Sequence, residues 1–201
     1  MLRRIAVRTY IATHLLRVAF WYRVFGIAYV SRELGRCSGL LVPMLLRKYG
    51  ANIGTGVNFK DVVLIDNAEG DRDAKGDFSN LTIGDNCYVG KAVFFDLPDR
   101  VDIQSDCAIS ARVMFITHAD CGDRPMAKWY PRRRRKITIG RGCWIGVGAV
   151  ILDGVTLGDH CVVAAGSVVS ESFGAYSVVA GAPARLVKQL SQPPIPAETR
   201  D

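Results

Sequence analysis

The 201 residues contain only three histidines, in three different settings. His14 lies among arginines and apolar residues near the N-terminus, and His160 sits in the tetrapeptide GDHC. His118 closes the apolar run MFITH and opens an eighteen-residue stretch from Ala119 to Lys136, ADCGDRPMAKWYPRRRRK. Long connections without regular structure are uncommon in compact domains and often carry function. An imidazole at such a place suits removal of a proton from an attacking hydroxyl at neutral pH. His118 is therefore expected to act as a general base. Asp96 and Asp120 are the acids nearest to it in the pattern, and either would hold the imidazole's tautomer or touch an acceptor. Cys121 is a weaker candidate, as a nucleophile.

The same stretch holds Met126, Trp129 and Tyr130, which suit an apolar and stacking wall for a sugar ring. Its densest charge run, Arg132 to Lys136, reads either as a solvated loop or as a clamp on phosphates or an acidic acceptor.

The residues that must position this chemistry follow a period of six. From Ile139 to Val169 an aliphatic residue opens each block: Ile139, Ile145, Ile151, Leu157, Val163 and Val169. Four residues after the openers come compact residues: Cys143, Ala149, Val155, Cys161 and Ser167. A helix would show a period of 3.6 and a simple strand a period of two. A strict six describes a chain that runs a short strand, turns and repeats, stacking like residues in columns as a β-solenoid. Earlier blocks open at Ile53, Phe59, Ile83, Ile103, Ile109 and Phe115, with a polar interruption over residues 66–80. Four of the six cysteines, Cys87, Cys107, Cys143 and Cys161, fall on the compact position and read as small apolar fillers. No CxxC occurs, so zinc is not expected, and reduced thiols suit a cytoplasmic protein.

These blocks resemble the hexapeptide repeats of left-handed parallel β-helix acyltransferases, a group with galactoside, maltose and serine acetyltransferases and polysaccharide O-acetyltransferases. The resemblance covers Tyr49 to Leu190. It implies an all-β solenoid, a left-handed parallel β-helix, here with an N-terminal helical extension and a short C-terminal helix. It also implies acetyl-coenzyme A as co-substrate, no metal, and a homotrimer with sites between subunits. Thr117-His118 matches the family's catalytic histidine, without the glycine that galactoside acetyltransferases carry between the two residues. The resemblance places Trp144 at the active-site wall and brings pantetheine past the small residues Gly146, Ala165 and Gly166. It puts Ser170 on a coenzyme contact and Arg185 and Lys188 near the adenine and phosphates. Glu171 departs from the pattern where a lysine is usual, and Val147 where a serine is. Carbonic anhydrases on the same solenoid need three imidazoles around one metal, which the placing of His14 and His160 argues against. The implied function is an acetyl-coenzyme-A-dependent O-acetyltransferase acting on a sugar in surface-polysaccharide synthesis. The alternatives are an N-acetyltransferase on an amino sugar, free or nucleotide-linked, and a solenoid that has lost catalysis and serves in assembly.

The composition agrees with one globular domain: 49% hydrophobic and 22% charged residues. A net charge of +7 calls for an anionic partner, whether nucleotide cofactor, acidic glycan or membrane surface. Nucleic acid is not expected, since no binding module accompanies the charge. Residues 1–48 differ in kind, mixing apolar residues with Arg3, Arg4, Arg8, Arg17, Arg23, Arg32 and Arg36. Arginine interrupts the pattern too often for a membrane span or a signal peptide. The segment reads as helix, either capping the solenoid or resting, through residues 1–36, on the inner face of the membrane. Residues 49–190 form the solenoid domain with excursions at 66–80 and 119–136, and the Pro-rich residues 191–201 are expected to be disordered.

Overall fold

A computed structural model of the chain describes residues 2–192; from residue 193 onward the expected disordered tail lies outside the described residues. The body is built of short strands that fall in turn on three sheets. The first face stacks Asn52–Ile53, Leu81–Ile83, Val101–Ile103, Ile137–Ile139 and Thr156–Leu157. The second stacks Asn58–Phe59, Tyr88–Val89, Ala108–Ile109, Trp144–Ile145, Val162–Val163 and Ser177–Gly181. The third stacks Val63–Asp66, Val93–Asp96, Met114–Phe115, Val150–Ile151 and Val168–Val169. Pairing between successive coils is parallel throughout these stacks. The period of six is one face plus its corner.

All six block openers from Ile139 to Val169 point into the core and are essentially inaccessible. The compact positions are buried beside them and do more than fill space. Cys87, Cys107, Cys143 and Cys161 form a column at the corner between the first and second faces. Their Sγ atoms donate to the carbonyls of Gln104, Gly140, Gly158 and Gly174 in the following coil, at 3.1, 3.1, 3.2 and 3.1 Å. Each thiol thus gives a corner carbonyl a hydrogen-bond donor that alanine could not supply.

Outward residues differ by face. The first shows Asn52, Thr82, Asp102, Thr138 and Thr156, while the third shows Leu64, Phe94, Met114, Val150 and Val168. The second shows Asn58 at its first rung and then Tyr88, Ala108, Trp144, Val162 and Val178. One face is made for water and two are not.

The N-terminal segment is helical. Helix α1 (Leu2–Leu34) is interrupted at Gly26, whose φ of 62° and ψ of −155° are outside the helical region. Only glycine takes that conformation without strain. The two arms, 2–25 and 27–34, fold against each other: Arg17 on the first bonds Glu33 on the second at 2.6 Å, and Tyr29 at 3.3 Å. The stretch that follows α1 contains helix α2 (Val42–Lys48). Pro43 stands in its first turn, where a missing N–H costs nothing. Leu41, Val42, Leu45 and Leu46 are fully buried over the first coil, and Arg47 donates to the carbonyls of Ile53 and Gly54. Helix α2 thus lies on the first coil.

The short C-terminal helix expected after Pro183 is absent: Ala184–Gln189 is a strand, antiparallel to Ser177–Gly181. A helix of six or seven residues is marginal by itself, whereas the last strand of the second face offers a row of unpaired backbone groups. Pairing with that edge wins.

Candidate active site

Both long excursions leave the solenoid at one corner, between the third and first faces. The first follows Asp66, in the first coil; the second follows Thr117, in the third. Between them, at the end of the second coil, stands Asp96. It is 1% exposed, a costly place for a charge unless every lone pair is used. They are used. Its Oδ2 accepts the backbone N–H of Thr117 at 2.9 Å, that of His118 at 3.2 Å, and His118 Nδ1 at 2.7 Å. Its Oδ1 accepts the amide of Asn67 at 2.7 Å. Each of these partners of the Asp96 carboxyl group can donate a hydrogen bond to it. A carboxylate only accepts, so the His118 proton sits on Nδ1 and the lone pair on Nε2. Among the described residues no group bonds Nε2, and the imidazole keeps 21% of its side chain exposed. The arrangement leaves one imidazole nitrogen hydrogen-bonded to a buried carboxyl group and the other without a partner among the described residues.

Thr117 completes the corner. Fully buried, it accepts the backbone N–H of Asp99 at 3.2 Å and lies 3.0 Å from the Asp96 carbonyl. Of the two acids, only Asp96 serves His118. Asp120 bonds Arg132 at 2.9 Å and the Gly122 amide at 2.6 Å, so it shapes the excursion and does not orient the imidazole. Cys121 directs its sulfur toward the Tyr130 carbonyl, 3.8 Å away.

All four arginines of the run are ion-paired, one of them buried and three half exposed. Arg132, only 9% exposed in its side chain, is caged by Asp71 at 2.7 Å, Asp73 at 2.8 Å and Asp120 at 2.9 Å. It ties the two excursions together beside His118. Burial works against ionisation of Asp71, but the Asp73 amide and Arg132 outweigh it and hold the carboxyl below its usual range. Asp120 is held low chiefly by Arg132 and then by the Gly122 amide. Arg134 reaches Asp73 at 3.3 Å and Asp99 at 3.2 Å, while Arg133 and Arg135 share the single buried carboxylate of Asp153 at 3.0 and 2.8 Å. The excursion is further fixed by a two-residue antiparallel ladder that pairs His118 with Arg134 and Ala119 with Arg133.

Two hollows flank the corner. One, of about 490 Å³, lies inside the second excursion against Cys121, Trp129, Tyr130 and Arg132. Trp129 and Tyr130 are largely exposed there. The other, of about 590 Å³, lies between the second arm of α1 and the third face, lined by Ser31, Arg32, Arg36, Leu64, Asn67 and Phe94.

The residues expected to hold a cofactor stand elsewhere. Gly146, Ala165 and Gly166 lie on the corner between the second and third faces. A Cβ on Gly146 would meet the Ala165 amide of the next coil at 2.6 Å, so close stacking of coils alone requires glycine there. Gly166, with φ of 68°, has open space above it. Arg185 and Lys188 lie on the final strand, exposed, and Arg185 bonds Glu171 at 2.9 Å. Ser170 is exposed at the corner that follows the third face. Trp144 points outward from the second face, 58% exposed, its Nε1 donating to Ser110 Oγ at 3.3 Å. Within one chain the third face separates His118 from the Gly146–Gly166 corner, and Trp144 lies beyond that corner again.

The three histidines stay apart. His14 packs between Arg17 and Glu33 in the α1 hairpin, and His160 stacks on Tyr176 at a corner turn with φ of 58°. Asn67 is the functional residue that the sequence reading missed. The matched endings of VLID and VFFD set Asp66 against Asp96, and Asn67, one residue further on, reaches back to Asp96 with its side chain.

With this geometry in hand, comparison with known proteins is informative. Residues 136–171 match the bacterial transferase hexapeptide family, described as six repeats. The galactoside O-acetyltransferase of Escherichia coli (strain K12) is 44% identical over 113 residues, 56% of this chain and 56% of that protein. The chain thus matches little more than half the length of this curated relative. A hexapeptide-repeat-containing acetyltransferase from Vibrio cholerae superposes with a TM-score of 0.69 at 22% identity, covering 82% of this chain and 88% of that one. A galactoside acetyltransferase solved in complex with coenzyme A gives 0.63 at 24% identity, covering 80% and 77%. The fold is the left-handed parallel β-helix of hexapeptide-repeat acetyltransferases.

Proposed function

From a chain that resembles the hexapeptide-repeat acetyltransferases in both sequence and fold, we propose an acetyl-coenzyme-A-dependent O-acetyltransferase whose acceptor is a sugar of a surface polysaccharide. The observation that carries this reading is the 2.7 Å contact between His118 Nδ1 and Asp96. It leaves Nε2 free to accept a proton, one residue from the loop-built hollow that begins at Ala119. In the reaction, Nε2 takes the proton of the acceptor hydroxyl as its oxygen attacks the thioester carbonyl. The carbon–sulfur bond then breaks, and the proton passes from the imidazolium to the departing coenzyme A sulfur. Asp96 balances the positive charge in between. No step needs a metal or a covalent enzyme intermediate. Trp129 and Tyr130 supply aromatic faces of the kind on which a sugar ring stacks.

The acting unit is a homotrimer in this reading. His118 and the residues Gly146, Ala165 and Gly166 lie on different corners of one chain, so in this reading a second copy brings those residues to the first copy's imidazole. The apolar second and third faces, with Trp144 outermost, supply the surface for that contact, while the polar first face stays in water. The six unpaired thiols agree with a reducing, cytoplasmic setting.

The test is release of free thiol from acetyl-coenzyme A across sugars, amino sugars, nucleotide sugars and oligosaccharides, with wild type and His118→Ala side by side. Release that requires both one acceptor and His118 supports the assignment. Acceptors confined to amino sugars would move the reaction to nitrogen. Acetyl transfer that persists at near wild-type rate in His118→Ala would overturn the role of the base.

A further inference from the structure

The first arm of α1 has no part in the site, yet it carries most of the protein's net charge and an uncovered apolar surface. Residues 1–32 hold six arginines (Arg3, Arg4, Arg8, Arg17, Arg23 and Arg32) and none of the 19 acidic residues, so six of the seven net positive charges reside there. Residues 4–10 are exposed on every side, reaching past the end of the second arm. A few turns of helix with no packing partner are marginal in water. Farther along, Leu16, Phe20 and Val24, spaced four apart on one side of the helix, are 71%, 61% and 58% exposed. At the Gly26 bend, Trp21, Tyr22 and Phe25 add exposed aromatic surface, with Trp21 stacked on Phe25 at 5.6 Å.

We infer that this hairpin is a docking surface for an anionic lipid bilayer, lying in its interface with Leu16, Phe20 and Val24 turned toward the acyl boundary. Among the described residues no helix is long and apolar enough to cross a membrane, so the segment rests on the surface. The charge selects the occupant. A second copy would bring another acid-free, arginine-rich arm against the first, and like charges repel. Anionic headgroups complement Arg4, Arg8 and Arg23, and indole and phenol rings favour the headgroup level. Arg17 is already committed to Glu33 and is not counted in the contact. This assignment is independent of the acetyl-transfer reading, since it concerns none of the same residues.

The experiment is vesicle flotation of the full chain with phosphatidylcholine alone and with phosphatidylcholine containing a third phosphatidylglycerol, at low and at high salt. Binding to the anionic vesicles only, weakened by salt, is expected. Each of two variants, Arg4→Glu/Arg8→Glu/Arg23→Glu and Phe20→Ser/Val24→Ser, should lose at least about tenfold in partitioning. Both alter exposed side chains, and circular dichroism verifies folding. Equal binding to neutral vesicles, binding untouched in both variants, or no binding by the folded wild type would each overturn the inference. So would loss of a higher oligomer in Phe20→Ser/Val24→Ser without lipid binding in the parent, which would give the surface to another copy or to a protein.

Discussion

Asp96 and His118 occupy neighbouring coils at one corner of the solenoid, 22 positions apart in the chain and 2.7 Å apart in space. The carboxylate selects which imidazole nitrogen carries the proton. His118→Ala should therefore lose at least about a hundredfold in kcat while the dissociation constant for coenzyme A stays within about twofold. Asp96→Asn keeps the shape but can donate to Nδ1 and fix the wrong tautomer. A fall of at least about tenfold in kcat is expected, with coenzyme binding again retained. Steady-state rates together with calorimetric titration of coenzyme A separate the two effects.

Asn67 acts one step behind this pair. Asn67→Ala leaves Asp96 Oδ1 buried without its partner, a change that typically costs about 1–3 kcal/mol. Its expected signature is a lower melting temperature with a smaller loss of kcat than Asp96→Asn shows. A loss of kcat equal to that of Asp96→Asn would instead mean that Asn67 touches the substrate.

Arg132 holds two excursions with one guanidinium, which gives the tie a definite pH dependence. Asp71 and Asp120 are both held below the usual carboxylate range in the folded protein. Their contribution is complete above about pH 4 and fades as the pH falls through the lowered values. Hydrogen exchange in residues 119–136, corrected for intrinsic rates, should stay slow from pH 7 to pH 5 and accelerate toward pH 3. In Arg132→Met the same peptides should exchange fast at every pH. Unchanged protection in that variant would mean that the loop is held by its two-residue ladder alone.

Glu171 lies against Arg185 at 2.9 Å, with both side chains more than half exposed. An exposed pair of this kind is worth about 0.2–1 kcal/mol. If Arg185 receives coenzyme A phosphates, Glu171→Gln should tighten coenzyme A by up to about fivefold, with the gain shrinking in salt. Titrations at two ionic strengths are sufficient. An unchanged affinity would remove Arg185 from the phosphate site.

The thiols offer a check on the fold itself. Cys121 is the single partly exposed cysteine of the six. Burial pushes Cys37 up to about 11, so at pH 8 its reactive thiolate is only about a thousandth of the population. One equivalent of fast-reacting thiol is expected in the native protein, lost in Cys121→Ser, against six in denaturant. Two or more fast thiols in the native protein would contradict the sealed corner column.

The solenoid was legible because its signal is local and repeated: each block restates the same inward aliphatic and the same compact corner. His118 could be read from its place at the end of a rung and the start of an excursion. The partner of Arg132 could not, because Asp71 lies 61 positions away in a loop with no period of its own. The C-terminal strand was hidden for a different reason. RLVKQL carries no alternation that favours strand, and the open edge of the second face decides its conformation. Pro43 reads as a break in isolation, and only its place in the first turn of α2 shows it as a start.

In a stack of coils, contacts run between nearest neighbours, and such an array can melt progressively from either end. The Arg132 cage breaks that rule, since it joins the loop of the first coil to the loop of the third and skips the second. Fraying of the N-terminal rung would carry Asp71, Asp73 and Asn67 away together, and with them the supports of the loop and of Asp96. At the opposite end, the coils beyond Asp153 can loosen without touching that cage. The tie between the first and third coils therefore has no counterpart at the C-terminal end of the stack among the described residues.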